Sequence, residues 1–253
     1  MGLFSFNYDR PGPGVPDGAP RLTGIRRIWE MISRDFKAFW LAGLMNFAML
    51  LPFLLIIGLA CATHSLLFAL ISGVIGGLAA APGFYGLADT LLRSLRDEPG
   101  FWWFRCSRAM KKGWKSTLVP GALFGTVFSL QIFISAHMHL LGGGIGLLLC
   151  HIISMLVSLG LFIWFLPQHV LMELRGGSLL KNSLLLYGRY LLKTLGVSLL
   201  MLLFILAAVL FFPASVFLLL LTGLWLPLLC ALQVIYPLLD ENFDIELSLK
   251  ENH

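Results

Sequence analysis

The stretch AFWLAGLMNFAMLLPFLLIIGLACA, residues 38–62, holds no Asp, Glu, Lys or Arg, and it decides the class of the fold. A helix rises about 1.5 Å per residue and the hydrocarbon layer of a bilayer is about 30 Å thick, so about 20 mostly apolar residues suffice to cross it. Working outward, five more runs are long and apolar enough: 66–91, 117–135, 145–171, 194–212 and 214–239. The second is interrupted by Gly73, Gly76, Gly77, Pro82, Gly83 and Gly86, and the last two share a break at Pro213. Such residues are tolerated in a membrane where neighbouring helices pack closely around them. The reading is an all-α, polytopic membrane protein with six transmembrane helices arranged as three hairpins.

The whole-chain composition agrees. Of 253 residues, 58% are hydrophobic and 12% charged, about half the charged share of a soluble domain. That excludes an ordinary water-soluble enzyme, whose surface this few charges would not cover. The formal net charge of +5 would suggest nucleic acid in a soluble protein, but the placement of the charges argues otherwise. Six of the 18 Lys and Arg precede the first run (Arg10, Arg21, Arg26, Arg27, Arg34, Lys37). Seven separate the second run from the third (Arg93, Arg96, Arg105, Arg108, Lys111, Lys112, Lys115). Arg175, Lys181, Arg189 and Lys193 separate the fourth from the fifth, and Lys250 lies beyond the sixth. The alternate loops, 63–65, 137–144 and 212–213, hold none. Under the positive-inside rule the basic side is cytoplasmic, with both termini inside, so nucleic acid is not an expected partner.

Three segments carry that basic charge in an amphipathic pattern. Residues 1–22 form a proline-rich tail, expected to be extended because Pro11, Pro13, Pro16 and Pro20 remove backbone donors. From residue 23, Ile25, Ile28, Trp29, Ile32, Phe36 and Phe39 share one helical face, while Arg26, Arg27, Glu30, Arg34 and Lys37 share the other. Residues 101–115 and 178–193 repeat the composition, and Lys37, Lys115 and Lys193 are evenly spaced. Each hairpin is therefore expected to begin with a basic interfacial helix, near 23–37, 101–115 and 178–193, within a membrane domain of residues 23–239. Either an internal threefold repeat or simple headgroup anchoring accounts for the spacing. Arg27, Lys37, Arg105, Lys111, Lys112, Lys115, Arg189 and Lys193 are the candidate contacts to anionic headgroups or to a partner. Residues 240–253 form an acidic tail, also expected inside. Gly73 and Gly77, and Gly121 and Gly125, are small-xxx-small pairs that predict close helix contacts, within the chain or between subunits.

Little catalytic chemistry is visible. Asp89 and Glu173 sit at span ends near Arg93 and Arg175 and read as interfacial ion pairs, and the centres of the runs hold no charge. Asn46, Gln131, His151, Ser154 and Ser158 form the candidate intramembrane polar cluster. Gln131 and His151 are expected at similar depth, bonded to one another, and His151, Ser154 and Ser158 on one face of a helix could line a small polar cavity. His137 and His139 lack a third ligand, and Gly142, Gly143 and Gly144 lack the Lys-Ser/Thr of a phosphate loop. Cys61, Cys106, Cys150 and Cys230 are scattered without ligand spacing and read as small apolar residues. No catalytic residue, metal site or cofactor is expected, and an enzyme is not the reading.

The stretch FNYDRPGPGV, residues 6–15, resembles the YesL-like family of bacterial membrane proteins, which is known mainly by a domain of unknown function. The likeness continues through RDFKAFWLAGLMN, residues 34–46, and LLRSLRDEPGFWWFRCSRAMKKGWKSTLVPGALFG, residues 91–125. Beyond these only the hydropathy is similar, and Lys112-Gly113-Trp114 departs from the Asn that the family tends to have there. The resemblance implies a multi-pass protein of the Gram-positive plasma membrane, often encoded beside carbohydrate ABC-transport components and regarded as a transport accessory or permease. It supplies no functional residue. Three roles follow as expectations: an accessory that binds ABC transporter subunits through its basic face, a permease with its own polar path, or a lipid-binding membrane scaffold.

Overall fold

The first apolar run does not start a helix of its own. In the computed structural model, which describes residues 22–98, 100–142, 144–172 and 176–246, it is the second half of one rod, α1 (Gly24–Ala62), 39 residues long. At about 1.5 Å per residue such a rod spans about 58 Å, nearly twice the hydrocarbon thickness, so its basic end projects beyond any bilayer its apolar part crosses. The same fusion occurs in α4 (Trp102–Ala136), where the basic segment runs unbroken into the apolar one. Two of the three expected interfacial helices are therefore extensions of spans. No Gly or Pro lies between Phe36 and Leu41 or between Lys115 and Val119, and extending an existing helix costs far less than nucleating a new one. Only the third is a separate helix, α6 (Gly176–Arg189), because Tyr190 leaves helical geometry (φ −114, ψ 39) before α7 (Leu191–Leu210) begins.

The glycine-rich second run is α2 (Leu66–Ile71), a π-helical turn (Ser72–Gly76) and α3 (Gly77–Leu95) in sequence. A 3-10 turn at Met138–Leu141 joins α4 to α5 (Ile145–Leu171), and α8 (Ser215–Thr222) and α9 (Trp225–Phe243) complete the chain's helices as described. The expected sixth span is bent by 52° between α8 and α9. Gly223 makes the bend at φ 50 and ψ −152, a conformation that a Cβ would oppose. Every regular element among the described residues is helical. Five helical stretches are long and apolar enough to cross a membrane, and six if the bent pair counts as one.

Packing centres on α3, which lies against α1 and α4 and also meets α5 and α9. Its glycines explain why. A Cβ at Gly77 would run into the carbonyl oxygen of Gly121, and one at Gly125 into the carbonyl oxygen of Gly73. The two small-xxx-small pairs thus face each other inside one chain, at backbone contact that any side chain would prevent. Two hydroxyls hold the neighbouring turns: Ser72 Oγ donates to the Phe53 carbonyl of α1 (2.9 Å) and Ser129 Oγ of α4 to the Ala69 carbonyl of α2 (2.6 Å). A second centre joins α5, α6 and α7, where Trp164 Nε1 donates to Thr194 Oγ1 (2.8 Å) and Gln168 Nε2 to Ser183 Oγ (3.1 Å). The exterior is apolar over large areas, including Leu55, Leu192 and Phe217, as a lipid-facing surface requires.

The proline-rich tail, the expected Glu173–Arg175 pair and the acidic residues beyond 246 lie outside the described residues.

Candidate functional site

Three features could carry function: a polar cluster between α4 and α5, an apolar cavity at the centre of the helices, and a charge network at the basic end.

The polar cluster unites four of its five expected members. Gln131 Nε2 donates to the Ser154 hydroxyl (3.1 Å), to the Ser154 carbonyl (3.2 Å) and to the Ser158 hydroxyl. Ser158 Oγ in turn donates to the Ser154 carbonyl. The expected Gln131–His151 bond is not what forms. His151 Nε2 lies 2.8 Å from Ser135 Oγ, whose proton goes to the Gln131 carbonyl (2.8 Å), so the histidine is the donor to the serine. Ser135 is one helical turn from Gln131 and brings His151 into the network through the backbone; its place was hidden because a serine near a helix end is ordinary. Asn46 does not join. It is buried at the contact of α1 with Gly83 of α3, and its Oδ1 has no hydrogen-bond partner among the described residues. The Gln131 amide and the Ser158 hydroxyl bond across and along α4 and α5, which suits a pin between two helices better than a substrate site.

At the end of the molecule opposite the basic face, His64 Nδ1 and His137 Nε2 are 2.7 Å apart, and His137 Nδ1 is 2.8 Å from the Phe133 carbonyl. This ties the loop after α1 to the end of α4. Among the described residues no three His, Cys, Asp or Glu side chains gather as a metal would require.

The cavity measures about 340 Å³ and is lined from α1, α3, α4, α5, α7, α8 and α9. Its middle is aromatic: Phe162 meets Phe84 and Phe124 edge to face, each at 5.4 Å between ring centres, and Phe128 at 5.6 Å. Along α4 the lining extends from Thr117 to Gln131, a rise of about 21 Å. Polar side chains reach it only at its two ends, Gln131 at one and Thr117 with His169 at the other. His169 is stacked on Phe165 and edge-on to Tyr85, each at 5.4 Å. It is 9% exposed, and neither ring nitrogen has a hydrogen-bond partner among the described residues.

At the basic end, cation and carboxylate alternate. Arg27 Nη2 reaches both oxygens of Asp97 (2.8 Å) and the Leu95 carbonyl (3.1 Å), and Arg27 Nη1 reaches Glu30 (2.9 Å). Arg34 joins Asp97, Asp35 and the Ser94 carbonyl (2.9 Å). Arg93 pairs with Asp89 (2.8 Å) and Glu98 (2.7 Å), and Glu98 also takes Arg96 (2.6 Å) and lies near Arg105 (3.9 Å). The network fastens α1, the end of α3 and the start of α4 together. Asp97 adopts a positive φ of 60 to face α1. Burial opposes its ionisation, but the hydrogen bonds and charges of Arg27 and Arg34 outweigh that and hold its carboxyl below the ordinary value. Glu98 is likewise held low, against burial, by Arg96 and Arg93.

The network corrects one expectation. The sequence pattern makes Arg27 a contact to headgroups or a partner, yet it is 4% exposed and turned to Asp97. The reason is pairing: a charge bound to Asp97 and Glu30 can be buried where an unpaired one could not. Arg105 is half-buried beside Glu98, and Arg189 bonds Asn242 Oδ1 (2.6 Å) while lying over the Tyr190 ring. Lys37, Lys111, Lys112, Lys115 and Lys193 are exposed. So are Trp29, Phe101, Trp103, Phe104 and Trp114 at the same end.

Comparison of the chain with protein-family models, curated proteins and solved structures gives no match in any of the three. The likeness to the YesL-like family therefore rests on the residues quoted above alone.

Proposed function

We propose that this chain is a non-enzymatic, multi-pass plasma-membrane protein that assists carbohydrate uptake by an ABC-type transporter, docking on its partner with a basic cytoplasmic face. The observation that carries the accessory role is the lining of the central cavity. A sugar crossing a membrane needs donors and acceptors along its way, because an unmatched hydroxyl costs about 2–7 kcal/mol in apolar surroundings. Here the space between the helices is aromatic and aliphatic, with polar groups only at the ends, and the Gln131 amide and the Ser158 hydroxyl bond within the α4–α5 cluster. A permease is thereby disfavoured. What supports docking at the basic end is the combination of a stiff base and exposed lysines: the ion network cross-braces α1, α3 and α4, while Lys111 and Lys115 are exposed at the same helix end. The cytoplasmic assignment follows from the positive-inside rule, and the carbohydrate assignment from the family likeness.

A scaffold lying on lipid headgroups is the second reading, favoured by Trp29, Trp103 and Trp114 exposed beside lysines and arginines, as in an interfacial aromatic belt. Extraction of the native membrane in mild detergent decides between them. Recovery of transporter subunits with the chain, together with a sugar-uptake defect on deletion, supports the accessory. Recovery of lipid only, with uptake unchanged, supports the scaffold and overturns the accessory.

A further inference from the structure

We infer that the central cavity is a binding site for one acyl chain, whose terminal carbonyl, ester or carboxyl, is held by His169. Shape and chemistry each point to this occupant. The space is a half-open cleft running about 21 Å along α4, long enough for the whole of a chain from one leaflet, about 15 Å or half of the hydrocarbon thickness. Its volume of about 340 Å³ is at the lower end of ligand pockets, which run from about 300 to 1,000 Å³. The rings of Phe84, Phe124, Phe128 and Phe162 enclose its middle, where a polar ligand would go unsatisfied and a hydrocarbon would not.

His169 supplies the second, independent observation. A neutral imidazole carries one donor and one acceptor, and buried polar groups are nearly always hydrogen-bonded. Among the described residues neither nitrogen of this buried ring has a hydrogen-bond partner, while Phe165 and Tyr85 fix its plane. The ring lies in the last turn of α5, at the basic end of the cavity. On the orientation proposed above this is the depth at which a cytoplasmic-leaflet lipid carries its ester carbonyls. The Thr117 hydroxyl, which gives its proton to the Trp114 carbonyl (3.0 Å), lines the same end and keeps acceptor capacity. Gln131 lines the other end, beyond the reach of the methyl terminus. The site is independent of the transport reading: the chain could hold a lipid whatever its partner.

Photo-crosslinking tests it. The full chain is reconstituted in vesicles containing phosphatidylglycerol with a mid-chain diazirine or, in a parallel arm, free palmitic acid with the same group, and labelled peptides are mapped by mass spectrometry. The expected result is labelling at Phe124, Phe128 or Phe162 in at least one arm; the arm that labels more strongly tells whether the source is a glycerolipid or a free acid. Ala208→Trp, which fills the space from α7, should reduce this labelling at least tenfold. His169→Phe keeps the ring stack and should reduce it about three- to tenfold, the worth of one hydrogen bond, while labelling of lipid-facing Leu55 and Leu192 stays unchanged. Thermal unfolding of each variant confirms that it is folded. Labelling confined to Leu55, Leu192 and other outward residues overturns the site. Interior labelling that His169→Phe leaves unchanged overturns the assigned role of His169.

Discussion

α3 and α7 are both apolar helices of similar length, 19 and 20 residues, but they occupy opposite places. α3 contains three glycines, a proline and an aspartate, and buries 14 of its residues; α7 is rich in leucine and buries four. The helix that is more apolar by sequence is the outer one. Between lipid and protein interior there is little hydrophobic difference to sort leucines inward, so close packing decides, and close packing needs small residues. α3 approaches α4 at backbone contact through Gly77, Gly121 and Gly125, whereas the single glycine of α7, Gly196, has nothing near it.

The strongest way to break this comparison is to place the same side chain on both helices. Gly77→Leu must displace the backbone of α4 and should lower stability by about 3 kcal/mol or more. Gly196→Leu points outward and should be neutral or slightly stabilising, since Gly costs about 0.8–1.0 kcal/mol in a helix. Unfolding of both variants in the same detergent measures the difference; equal losses would refute the packing account.

Asp97→Ala comes next. It strips Arg27 of its principal partner at the end of α3 while leaving Glu30, and a loss of about 2 kcal/mol is expected, below the range for a fully buried pair because Asp97 is partly solvated. The comparable change on α7, Lys193→Ala, removes an exposed ammonium lying over the Tyr190 ring at 5.9 Å from its centre and should stay within about 0.5 kcal/mol. Gln131→Leu should cost about 1 kcal/mol, the usual scale for a hydrogen bond between membrane helices, because Ser158 keeps its bond to the Ser154 carbonyl. The smallest effect is in pH. The folded-state values of Asp97 and Glu98 lie below their ordinary values of about 4. Their contribution is therefore present above about pH 4 and lost as pH falls through the depressed values. A melting-temperature profile should slope downward below pH 4 in the natural chain and slope less in Asp97→Asn.

The same contrast explains how much could be read in advance. Apolar runs suffice for an all-helical chain with helices long and apolar enough to cross a membrane, and the glycine pairs for the α3–α4 contact, because each depends on residues close along the chain. Arg27 misleads, since helical periodicity places it among exposed cations and its partner Asp97 lies across a turn that no local pattern foretells. Gln131, Ser154 and Ser158 do come together, yet their bonding through Ser135 rather than directly to His151 depends on the relative rotation of α4 and α5. Gln168 and Thr194, buried between α5, α6 and α7, escape notice because a lone polar residue near a span end gives no pairing signal. The cavity escapes for a different reason: it is a space, made by seven helices that fail to close on it.

The central claim is that the basic end docks on a transporter and that the helices themselves conduct nothing. It is tested most directly by co-purifying tagged protein from native membranes, with and without Lys111→Glu, Lys112→Glu and Lys115→Glu combined. The natural chain should recover ABC transporter subunits, and the triple variant, equally folded and abundant, should recover few or none. Recovery of no transporter component by the natural chain, or sugar uptake by vesicles containing this chain alone, would contradict it.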